Sequence, residues 1–96
     1  MIKINKKDNV ITISGHANWG EFGKDIVCAA VSSTVYTTVN ALKKYSSSAI
    51  SFEDNKQMKI TILEKDEITN LLIDNMFDIL HSLEEDYPKN ISVKEN

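Results

Sequence analysis

One cysteine, one proline and one tryptophan stand among 96 residues, with only three glycines and 7% aromatics. A lone cysteine forms no internal disulfide. The first residues, Met1 to Lys7, also lack the apolar core of a signal peptide, so we expect a reducing, cytoplasmic setting. No apolar run approaches the roughly 20 residues of a membrane span, and no membrane partner is expected. One cysteine and two distant histidines offer no zinc-site spacing, so neither metal nor cofactor is expected. A basic excess is also missing: 11 Lys+Arg face 14 Asp+Glu, a net charge of −3. That balance argues against direct nucleic-acid binding, which needs a basic face to neutralise phosphates. There is no internal repeat and no low-complexity stretch. The length suits one domain, residues 1–96, and is too short for two.

What is present is periodicity of two kinds. Residues 2 to 6 and 10 to 14 alternate apolar and polar. Lys7-Asp8-Asn9 between them is turn chemistry, so the pattern predicts a β-hairpin. Gly15 to Lys24 reads as a loop. From Asp25, as N-cap, to about Lys44 and Tyr45 the spacing predicts a helix. Cys28, Val31, Val35, Val39 and Leu42 share one face of it. Its serines and threonines are weak helix formers, so we expect packing to hold it, largely buried. Ala49 to Glu53 and Gln57 to Leu63 read as strands joined at Asp54-Asn55. A second helix is expected from Asp66 towards Pro88, with Ile68, Leu72, Met76, Ile79 and Leu83 as its main apolar face. Ile73, Phe77 and Leu80 form a second face, and a helix apolar on two sides is deeply buried or shared with another subunit. Ile91 and Val93 read as a short last strand. The expected fold is α/β (α+β): a two-layer sandwich of a β-sheet and two helices, in the order β-β-α-β-β-α-β.

The chemistry concentrates between positions 15 and 32. All three glycines, the cysteine, the tryptophan and one of the two histidines lie there. A thiol attacks as thiolate, and an unperturbed cysteine has a pKa of about 8.5. Cys28 near the start of the first helix would feel the positive end of the helix dipole. His16 lies twelve positions before it. Across a loop bent at its glycines, that imidazole could take the thiol proton. Unpaired N–H groups of Cys28 and its neighbours could receive an oxyanion. Asp25 is the nearest carboxylate that might orient the imidazole, and Ser32 lies one helical turn past the thiol.

The run Gly15-His16-Ala17, five residues, then Gly23-Lys24-Asp25-Ile26-Val27-Cys28-Ala29-Ala30-Val31-Ser32 resembles the signature of the bacterial ribosomal-processing cysteine proteases, the Prp family. The resemblance implies a catalytic dyad of His16 and Cys28, with Asp25 and Ser32 in support. It implies a mobile loop that closes over substrate, here Ala17, Asn18, Trp19, Gly20, Glu21, Phe22, Gly23 and Lys24. It further implies a homodimeric endopeptidase that removes the N-terminal extension of a large-subunit ribosomal protein. Where many relatives have glycine after Gly-His-Ala, this chain has Asn18, a residue that still tolerates left-handed backbone.

Plainer readings stand beside these. A lone cysteine on an apolar helical face is more often a small buried hydrophobe. Trp19 and Phe22 suit core plugs as well as substrate contacts, His81 reads as structural, and Glu84-Glu85-Asp86 as a solvated helix end. The rival function is a non-catalytic dimer that grips a peptide or ribosomal component in the same groove. A redox enzyme or transferase is a weaker third, because no resolving cysteine or cofactor cradle is evident.

Overall fold

The computed structural model describes residues 1–15 and 24–96, with the backbone alone at positions 24 and 25. Seven elements follow in the order expected: β1 (Ile2–Lys7), β2 (Val10–Ser14), α1 (Lys24–Tyr45), β3 (Ile50–Asp54), β4 (Met58–Ile62), α2 (Glu67–Asp86) and β5 (Ile91–Glu95). The β1–β2 turn works because Asp8 adopts a φ of 55°, a left-handed conformation that Asp accepts more readily than most residues.

The strands form one five-stranded sheet in the order β3-β4-β2-β1-β5. Only the β1–β5 pair is parallel, with Ile2 opposite Ile91 and Ile4 opposite Val93. The other pairs are antiparallel: Ile4 meets Ile13, Ile11 meets Ile60, and Ile50 meets Ile62. The alternation read in the sequence thus puts every strand isoleucine on one face, where Ile4, Ile11, Ile13, Met58 and Ile60 are fully buried. Both helices cover that face and complete a single core cluster. Among the described residues, the opposite face carries no helix.

α1 seats Val27, Cys28, Val31, Val35, Val39 and Leu42 in the core, the face its spacing predicted. It is not largely buried, however. Ser33, Tyr36, Thr37 and Asn40 face solvent, and Ile26 is 64% exposed. The hydroxyls of two of its threonines are satisfied locally. Thr34 Oγ1 donates to the Ala30 carbonyl at 2.8 Å, and Thr38 Oγ1 to that of Thr34 at 3.0 Å.

α2 differs from expectation in its orientation. Its buried residues are Thr69, Ile73, Met76, Phe77 and Leu80. The stripe expected to dominate is divided: Met76 is fully buried and Leu72 and Leu83 are half-buried against the core, whereas Ile68 and Ile79 are each 42% exposed. With two apolar stripes, periodicity alone does not choose; the sheet takes the one that carries Phe77, the largest side chain. Asp66 caps the helix, its Oδ1 accepting from the Thr69 N–H at 2.8 Å. The Tyr45 hydroxyl at the end of α1 donates to the other carboxylate oxygen at 2.9 Å, so the cap also fastens one helix to the other.

Candidate active site

Three described residues frame the site. Gly15 directly follows β2 with a φ of +83°, and a Cβ built there would lie 2.2 Å from the Met1 carbonyl oxygen. No other residue fits that crossing without moving backbone. The glycine opening the histidine motif is therefore fixed by the sheet itself, where the chain leaves β2 beside the start of β1.

Cys28 is the second. It lies in the second turn of α1, 3% exposed, among the aliphatic groups of the core. Helical side chains lean towards the N-terminus of their helix, which directs the sulfur back to the end where the loop enters. Ser32, the third, follows one turn later and is half-buried.

The helix starts at Lys24, ahead of the expected cap at Asp25. Two expectations change with it. Lys24 belongs to α1 rather than to the loop, and Asp25 occupies the second helical position instead of the cap. In a regular ladder each N–H bonds the carbonyl four residues back. The N–H of Cys28 then pairs with the carbonyl of Lys24, and the unclaimed donors lie earlier, at positions 24 to 26. The helix start can still hold an anion, but not with the amide of Cys28. His16 and the loop residues Ala17, Asn18, Trp19, Gly20, Glu21, Phe22 and Gly23 lie outside the described residues, as does the side chain of Asp25.

One polar pair escaped the sequence reading. Tyr36 lies eight residues after Cys28, on the line through Ser32. Its hydroxyl donates to the Asp54 carboxylate at the end of β3. Its ring meets Phe52 edge to face at 5.3 Å between centroids. The hydrogen bond to Asp54 pushes the Tyr36 phenol above its ordinary pKa. The i, i+4, i+8 spacing was the available signal; the partner on β3 was not readable. Among the described residues, no group of three His, Cys, Asp or Glu could hold a metal ion, and no helix is long and apolar enough to cross a membrane.

Comparison with known proteins decides the family. The family model described as cysteine protease Prp matches residues 1–92. The chain belongs to the Prp family of cysteine proteases. The ribosomal processing cysteine protease Prp of Staphylococcus aureus is 33% identical over 94% of this chain and 91% of its own. That of Bacillus subtilis is 33% identical, over 88% of this chain and 82% of its own. Among solved structures, the S. aureus Prp in complex with a substrate peptide superposes with a TM-score of 0.86 at 25% identity, covering 99% of this chain and 97% of that one. A second S. aureus Prp structure, with a covalently linked product peptide, gives 0.81 at 26% identity over the same shares. This Prp is thus a cysteine protease on an α+β frame shared with its relatives.

Proposed function

We propose that this Prp, a single protease domain over residues 1–96, removes the N-terminal extension of a bacterial large-subunit ribosomal protein in the cytoplasm. Cys28 is the nucleophile and His16 its base. The imidazole takes the thiol proton, and the sulfur bonds to the scissile carbonyl carbon. The oxyanion so formed rests on N–H donors at the start of α1, at positions 24 to 26. Its collapse breaks the C–N bond, and the imidazolium gives its proton to the departing amine. Water, deprotonated by the same imidazole, then hydrolyses the thioester, and the proton returns to the sulfur. The loop from Ala17 to Gly23 closes over the peptide, with Asp25 and Ser32 as polar support.

The observation that carries this reading is the position of the sole cysteine. It sits near the start of α1, twelve positions after His16 in the sequence. The covalently linked product peptide of the S. aureus relative supports a step in which enzyme and peptide are bonded. The burial of Cys28 adds one feature to the proposal: the surroundings of the sulfur must open before a peptide carbonyl reaches it. The test is incubation with the extended ribosomal protein, read by intact mass. The parent shortens it; Cys28→Ala and His16→Ala leave it whole. Cleavage by Cys28→Ala at the parent rate overturns the assignment.

The chain acts as a homodimer in this account. Ile26 on α1 and Ile68, Leu71 and Ile79 on α2 expose apolar surface on the helical layer. A shallow groove of about 440 Å³ runs between the helices past Ala30, Thr37 and Ile79. Such a surface suits a partner copy. Sedimentation of the parent and of Leu71→Glu checks it, with a monomeric mass expected for the variant alone.

A further inference from the structure

The face of the sheet without helices concentrates charge of one sign. The strand residues that point there include Lys3, Lys7, Lys59 and Lys94, and only one acid, Glu53. That is a local charge of +3 in a chain whose total is −3. α2, across the molecule, carries Glu67, Asp74, Asp78, Glu84, Glu85 and Asp86 with no lysine. The overall balance that argued against nucleic acid is therefore an average over two opposed surfaces.

The registers place these lysines. Lys59, Thr12, Asn5 and Lys94 stand in one row across four strands. At about 4.8 Å per strand, Lys59 and Lys94 are about 14 Å apart. Lys3 and Lys7 flank the same row along β1, about 13 Å from one another. Between them lie hydroxyls and amides: Thr12, Thr61, Ser14, Ser92 and Asn5. A concavity of about 510 Å³ opens there beside Lys7, Val10 and Thr12, with Asp8 at its rim on the hairpin tip. Among the described residues, none of the four lysines forms an ion pair.

We propose that this face docks on the backbone of duplex RNA. Lysine supplies the charge that phosphates require, and the neutral donors suit phosphate oxygens and 2′-hydroxyls. Among the described residues, the face bears Val10 but no aromatic side chain. It therefore offers neither the apolar centre of a protein interface nor a stacking platform for single-stranded bases. A five-stranded sheet is too broad for the deep, narrow A-form major groove, whereas the A-form minor groove is wide and shallow and displays 2′-hydroxyls. The contact is independent of the protease reading, since it uses the side of the sheet away from Cys28.

The test is fluorescence anisotropy of the full chain with a labelled 16-base-pair RNA duplex. The parent is expected to bind with a Kd in the range of about 10⁻⁶ to 10⁻⁴ M. Four lysines limit the slope of log K against log salt to about −3.6. Combined Lys3→Gln, Lys7→Gln, Lys59→Gln and Lys94→Gln loses about tenfold or more in affinity. A second set changes the net charge equally but lies off the face: Lys43→Gln, Lys44→Gln, Lys65→Gln and Lys89→Gln. It loses less than about twofold. Should the first set fail to fold by circular dichroism, the Lys59→Gln, Lys94→Gln pair replaces it, with about a threefold loss expected. Equal losses in both sets, no binding at 50 mM salt, or equal affinity for duplex DNA or polyglutamate overturns the proposal.

Discussion

Replacing Gly15 by alanine tests the frame of the site. The new Cβ would lie 2.2 Å from the Met1 carbonyl oxygen and 3.4 Å from the Ile2 Cα. A φ of +83° adds about 1–2 kcal/mol for any residue with a Cβ. Met1 is more than half exposed and can yield, but Ile2 cannot follow freely. Its N–H donates to the Asn90 carbonyl at 2.8 Å, and it lies opposite Ile91 in the parallel pair. Shifting that end of β1 weakens about one hydrogen bond, roughly 1 kcal/mol more. The total is about 2–3 kcal/mol. For a domain of this size that lowers Tm by roughly 10–20 °C. The assay is thermal unfolding by circular dichroism, with Ser14→Ala as the neighbouring control, expected to shift by only a few degrees. Because His16 is the next residue, cleavage measured well below Tm should also fall in Gly15→Ala and not in Ser14→Ala. A Tm equal to the parent's, with full activity, refutes the crossing on which this reasoning depends.

Other outcomes follow from packing and charge. Leu80→Ala removes a fully buried side chain between α2 and the sheet, and should cost about 2–5 kcal/mol in urea unfolding. His81 Nε2 lies 2.7 Å from Glu95 Oε2, and Nδ1 3.6 Å from Glu84 Oε1, so these carboxylates, Glu95 foremost, raise the imidazole above its ordinary 6.5. A raised value stabilises the fold fully below about pH 6.5 and loses that contribution as pH rises through the folded value. With side chains 43% and 40% exposed, the His81–Glu95 pair is screened by solvent and contributes about 0.5 kcal/mol. His81→Gln should be less stable than the parent at pH 6 and equal to it near pH 9. Asp66 titrates the opposite way. The Thr69 N–H, and after it the Tyr45 hydroxyl, hold its carboxyl below 3.8. Stability should therefore fall as pH drops through and below that value, and Asp66→Asn should flatten that limb of the pH–stability curve. Finally, a sulfur only 3% exposed should react slowly with iodoacetamide, so the peptide-free enzyme should alkylate well below the rate of an unhindered cysteine thiol at the same pH.

The sheet was legible because each strand writes its faces into alternate residues. Ile2 and Ile4, Ile11 and Ile13, and Met58, Ile60 and Ile62 all point where alternation says. Asp8 was legible because its role in the turn is local; Asp66 was expected to begin the second helix, and the structure makes it the cap just before it. What failed was what packing decides. α2 carries two apolar stripes, and only the sheet selects the one with Phe77. α1 holds its threonines through carbonyls one turn back, so deep burial was not required to explain them. The start of α1 lies ahead of the expected cap at Asp25, and that shift removes the Cys28 amide from the donors available to an oxyanion. The lysine face was invisible to composition, because strand order and register gather Lys3, Lys59 and Lys94 from distant positions. The family resemblance read from Gly15 to Ser32 was borne out by the Prp family model, which matches residues 1–92.

The central claim is that the sulfur of Cys28 becomes bonded to the peptide it cleaves. Rapid acid quench of the enzyme during turnover of the extended ribosomal protein, followed by peptide mapping, tests it directly. The account predicts an acyl mass increment on the fragment containing Cys28, absent in Cys28→Ser, which also leaves the protein uncut. Turnover by Cys28→Ser at the parent rate, or product forming with the increment on another residue, would contradict it.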